Sequence, residues 1–137
     1  MWPKTFDQRL ADWYNLRTFC KDQPPEHALS TIQSWWNLAP WQPYYLHWDD
    51  QTDWPDPWQL LNDNVYCDLA KALGILYTIT LLDRADIAPV ELVLTTDERN
   101  LVLAGQTKYI LNWNSEVIVN NNLKFVVQRK YQYQKII

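Results

Sequence analysis

Glycine is nearly absent from this sequence: Gly74 and Gly105 are the two in 137 residues. That excludes a glycine-built phosphate loop, and it leaves most turns to Asn, Asp and Pro. Cysteine is equally scarce, with Cys20 and Cys67 alone, so no disulfide framework is encoded and reduced thiols are expected. Neither has a CxxC partner, and His27 and His47 stand apart, so no zinc spacing is present and no metal or cofactor is expected. Long apolar runs are missing too. The longest stretch, residues 73–82, is interrupted by Thr78 and Thr80 and falls short of the ~18 residues that span a bilayer. The opening MWPKTFDQRLADWY lacks the apolar core of a secretory signal. The expectation is a soluble chain with no membrane partner, not exported by that route. Positive charge is thin: the net formal charge is −4, and basic residues gather only weakly at Lys124, Arg129, Lys130 and Lys135. A phosphate-binding surface needs a denser cluster, so no nucleic-acid partner is expected.

What is present is a globular composition, 47% apolar and 20% charged, in a length that suits one domain with a core of its own. Residues 1–137 are therefore read as a single domain, helical over 1–83 and β-rich over 90–137. Nine Trp and eight Tyr supply large rings that need burial and a partner for each N–H or O–H. Such rings concentrate in cores and at interfaces.

Along the chain, Phe6, Leu10, Trp13 and Leu16 recur at helical spacing, predicting a helix over 5–20 with Thr5 as cap and Gln8 as its capping-box partner. Pro24-Pro25 ends it and starts a second helix, which stops before Pro40. Residues 40–58 carry many Pro, Trp, Tyr and Asp with no clear period, which predicts a tightly wrapped irregular segment. Asp56-Pro57 with Gln59 marks a brief helix over 57–62. The helix around which the chain is organised then runs over about 65–82, capped by Asp63 or Asn64, with Cys67 just inside it. Val65, Leu69, Leu73, Leu76 and Ile79 share one face; Cys67, Lys71, Gly74 and Thr78 lie opposite. Gly74 in a helix interior costs about 1 kcal/mol against Ala, predicting close approach of another backbone there and a helix covered on both sides. From residue 90 the period changes to strands at 90–95, 101–104, 108–113, 116–119 and 123–129. TDERN and Asn120-Asn121-Asn122 serve as turns. Helices first and strands second indicate an α+β domain, with N-terminal helices and a central helix packed on a C-terminal antiparallel β-meander.

Cys67 carries the sharpest chemical hypothesis, because unpaired amides and the macrodipole at a helix N-terminus favour a thiolate nucleophile. A helix opening with Cys and packed on a following antiparallel sheet resembles papain-like and transglutaminase-like folds. Those families place the catalytic His on a strand after the Cys. Here both histidines precede Cys67, and a thiol needs a general base. The alternative base is His47, with Asp49, Asp50 or Asp53 to orient it. The plainer reading of Cys67 is a small packing residue. Paired carboxylates among Asp49, Asp50, Asp53 and Asp56 also invite a glycosidase reading, but Asp56 is better explained as a cap and Asp53 as a turn residue. His27 reads as a solvated or satisfied helix side chain. Lys124, Arg129 and Lys130 read as a solvated strand face. For interaction, Trp41, Tyr44, Tyr45, Trp48 and Trp54 are the candidates, since Trp and Tyr anchor interfaces; the competing role for each is internal packing.

WWNLAPWQPYYLHWDD followed by WPDPWQLLNDNVYCDLAKALGILYT resembles a family of small proteins of contractile-tailed bacteriophages, including those of marine cyanobacteria. The likeness spans roughly residues 29–113, and its most specific run is WPxPWxLL…YCDLAxALG. It implies no reaction and no catalytic residues. It implies phage origin and a place in or near the virion, with other phage proteins as partners. The leading expectation is thus a non-catalytic structural protein of tail, baseplate or neck, in the virion or the host cytoplasm. The alternatives are a cysteine hydrolase or transferase using Cys67, and an early phage inhibitor of a host protein.

Overall fold

A computed structural model describes residues 1–43, 45–119 and 123–133. Its helices are α1 (Phe6–Cys20), α2 (Pro25–Asn37), α3 (Pro57–Asp63) and α4 (Asp68–Leu82), with a 3-10 turn at Trp48–Asp53. The strands are β1 (Glu91–Thr95), β2 (Asn100–Ala104), β3 (Tyr109–Leu111), β4 (Ile118–Val119) and β5 (Val127–Tyr131). The class is α+β as the sequence predicts, helices first and an antiparallel sheet second. Among the described residues no helix is long and apolar enough to cross a membrane.

Local chemistry explains most helix boundaries. Thr5 accepts from the Gln8 amide and Gln8 returns a bond to the Thr5 amide, a full capping box, and Asp56 and Gln59 repeat it at α3. The central helix departs from expectation. α3 ends with Asn64 in the left-handed region (φ 55°), so the chain must restart, and α4 begins at Asp68 with Cys67 as its N-cap. The predicted start at residue 65, with Asp63 or Asn64 as cap, is displaced by that turn. Cys67 therefore flanks the helix rather than sitting inside its first turn.

α4 packs on β1 and β2 on one side and on α1, α2 and α3 on the other, so residues 72–79 are buried all round. The side opposite the sheet holds Gly74, where a Cβ would meet the Trp36 ring at 2.6 Å. The close neighbour predicted at Gly74 is thus an indole and not another backbone. Beside it, the Trp13 and Trp36 indole N–H groups both donate to Thr78 Oγ1 at 2.9 Å, and that hydroxyl donates to the Gly74 carbonyl at 2.7 Å. One hydroxyl offers two lone pairs and one proton; all three are used, on buried atoms. Arg9, also buried, is satisfied in a similar way: its Nε donates to the Leu61 carbonyl at 2.7 Å, tying α1 to α3.

The sheet order is β4-β3-β2-β1-β5. The first four strands form the expected meander, but the last strand lies beside β1, not beside β4. The reason is that β1–β3 are apolar on both faces. Leu92, Val102, Ala104 and Leu111 face the main core, while Val93, Leu101, Leu103 and Ile110 form a second cluster covered by Trp113, Leu123, Phe125 and Val127. The returning chain covers that second face and reaches the β1 edge. Near-continuous apolar strands such as NLVLA signal a sheet covered on both faces. The predicted turn at Asn120-Asn121-Asn122 and Lys135 lie outside the described residues.

Candidate functional site

The Trp-Pro segment, residues 40–58, closes over the junction between helices and sheet. Trp41 forms an isolated parallel bridge with Tyr66, and the Gln42 amide donates to the Tyr66 carbonyl at 2.9 Å. Further on, the Trp48 indole is buried and donates to Asn100 Oδ1 at 2.8 Å, fastening the segment to the start of β2. Trp54 donates to the His47 carbonyl at 2.9 Å and packs edge-on against Trp48 and Tyr131. Tyr77 on α4 donates to the Pro55 carbonyl at 2.6 Å. Asp49 pairs with Arg129 of β5 at 2.7 Å, an exposed pair that contributes at most about 1 kcal/mol.

The interaction candidates divide accordingly. Trp48 and Trp54 have their rings and N–H groups engaged inside the fold. Half-buried Tyr45 donates to the Asp63 carboxylate, and burial together with that bond pushes its phenol well above the usual range. Trp41 is 56% exposed. Tyr44 lies outside the described residues.

Trp41 stands on the rim of an open cleft of about 510 Å³ that also takes in Pro43 and His47. Its deeper lining is Leu46, Trp48, Cys67, Leu69 and Leu94, and Asp68 and Glu98 bring carboxylates to it. Each comes from a different constraint. Cys67 and Asp68 are placed by the α4 start, Leu94 by β1, and Glu98 by the β1–β2 turn, where it adopts φ 66°. Thr95 donates through its hydroxyl to Asp97 and accepts from the Arg99 amide at 2.9 Å, which holds that turn.

The structure brings His47 and Cys67 to one cleft, though no bond joins them. Cys67 is 7% exposed and makes no capping hydrogen bond. Asp50 and Asp53 line a second, smaller cleft that also includes His47, while Asp49 is turned to Arg129 and Asp56 is used as a cap. Cys20 is fully buried, its thiol raised to about 11 mainly by burial. His27 packs its ring edge-on against Phe19. Among the described residues no group of three or more His, Cys, Asp or Glu is placed to hold a metal ion.

Asp68, Leu94 and Glu98 are cleft residues the sequence did not single out. They meet Trp41 only because the segment folds over a sheet that begins many residues later, so no local spacing reports them. Comparison with protein-family models, curated proteins and solved structures found no match.

Proposed function

We propose that this chain is a non-catalytic protein that works through protein–protein contact, as a structural component of a contractile-tailed phage particle in its tail, baseplate or neck. The phage assignment rests on the WPxPWxLL…YCDLAxALG likeness. The contact reading rests on one observation: Trp41 is left 56% exposed on the rim of an apolar-floored cleft, while Trp48 and Trp54 of the same segment are folded in. A half-exposed indole at the edge of a concave apolar site is the type of residue that dominates contact energies. The test compares purified particles assembled with wild-type chain or with Trp41→Ala. The wild type is retained and a folded Trp41→Ala chain is depleted; equal retention contradicts the contact role of Trp41. A chain absent from particles but co-purifying with a host protein favours the inhibitor reading instead.

A second reading, a cysteine hydrolase or transferase, draws on His47 and Cys67 lining the same cleft. Against it stand the 7% exposure of Cys67 and the acidic side chains of Asp68 and Glu98 lining the same cleft. Iodoacetamide decides between them. The contact reading expects Cys67 to alkylate slowly in the native protein and quickly once unfolded; rapid native alkylation that His47→Ala slows supports the enzyme.

A further inference from the structure

The cleft at Trp41 has a chemical polarity that narrows its occupant. Leu46, Leu69 and Leu94 give it an apolar floor, while Asp68 and Glu98 stand exposed at its boundary. Neither carboxylate has an ion pair or side-chain hydrogen bond among the described residues. Arg99 and Lys71 lie nearby, Arg99 in a small cleft shared with both carboxylates. Arg99 pairs with Asp97 and lies 3.9 Å over the Trp113 ring. Lys71, one turn along α4, feels the field of Asp68 but does not line the cleft. Asp68 occupies the first position of α4, where the macrodipole favours its charge. The net charge of −4 adds a long-range pull in the same direction.

We propose that this cleft receives a basic segment of a partner protein, with an arginine side chain laid along the leucine floor. Its guanidinium would lie between the Asp68 and Glu98 carboxylates and against the exposed Trp41 indole. This deepens the contact reading and rests on it. A long basic side chain buries its methylenes on apolar surface while its head stays near water. A guanidinium both stacks on an aromatic ring and donates paired hydrogen bonds to a carboxylate, which an ammonium does less well. The same features disfavour an acidic partner, which would set like charges together.

The test is an NMR titration of the full chain with three capped peptides in which leucine alternates with arginine, glutamine or glutamate. The arginine peptide is expected to shift the Trp41 indole and the Asp68 and Glu98 amides, with affinity that falls as salt is raised. The double variant Asp68→Asn/Glu98→Gln weakens it about tenfold or more. Folding of the variant is checked by the unchanged Trp13 and Trp36 indole resonances. Equal binding of the glutamine peptide at the cleft overturns the charge recognition and leaves the contact reading standing. Absence of cleft shifts with every peptide overturns the proposal, as does self-association abolished by the same double variant, which would make a second copy the occupant. Retention of Trp41→Ala in particles is a separate readout, so failure of the contact reading shows there and not here.

Discussion

Two tryptophan-rich regions of this protein make opposite use of the same side chain. At the Thr78 node, two indoles share one hydroxyl, every polar atom is satisfied, and Gly74 is kept small by the Trp36 ring. At the Trp-Pro segment, Trp48 and Trp54 are secured by hydrogen bonds to Asn100 and His47, but Trp41 is left half in water beside an apolar floor. The difference teaches that abundance of Trp does not itself mark an interface. Of these five rings, the four whose N–H has a partner, Trp13, Trp36, Trp48 and Trp54, are packed into the fold, and Trp41 is the one left exposed.

The contrast can be broken first at Thr78. Thr78→Val keeps the shape and removes the shared acceptor, stranding two buried donors at about 1–3 kcal/mol each. A loss of about 3 kcal/mol and a fall in melting temperature of roughly 10 °C are expected by calorimetry, with Thr78→Ser much milder. Alkali should act on the same closed region. The Cys20 thiol is raised from 9.0 to about 11, so its contribution is fully present below about pH 9 and is lost as pH rises towards 11. Burial raises Tyr66 and Tyr77 in the same direction. Denaturant midpoints should therefore hold at neutral pH and drop through that window, less steeply in Cys20→Ala. Gly74→Ala comes next. Ala favours a helix by about 1 kcal/mol, but its Cβ would meet Trp36 at 2.6 Å and overpacking costs about 1–3 kcal/mol. Net destabilisation of about 1 kcal/mol is expected in chemical unfolding, the reverse of the usual sign. The smallest effect belongs to Trp41→Ala, expected to change stability by no more than about 0.5 kcal/mol, while Trp48→Ala is clearly destabilising in the same assay.

Local features of the fold were legible in the sequence because their causes are local. Thr5 with Gln8, and Asp56 with Gln59, cap their helices through neighbours three residues away, and the change of period at residue 90 marks the turn from helix to sheet. What escaped depends on distant partners. The Asn64 turn delays α4, β5 returns to β1 because both sheet faces are apolar, and Gln33 on α2 clamps the chain after β3 through the Asn112 amide and Asn114 carbonyl. The site was half legible. Trp41, His47 and Cys67 were singled out and share a cleft, but Asp68, Leu94 and Glu98 join them only through tertiary folding.

Hydrogen exchange of the individual indole N–H groups tests the central claim most directly. Trp13 and Trp36 should exchange slowly, at rates set by large-scale opening of the helical core, while Trp41 exchanges at nearly the rate of a free indole. A Trp41 N–H as protected as those at Thr78, or a Trp13 or Trp36 N–H as fast as Trp41, would contradict the division between a closed core and an open cleft rim.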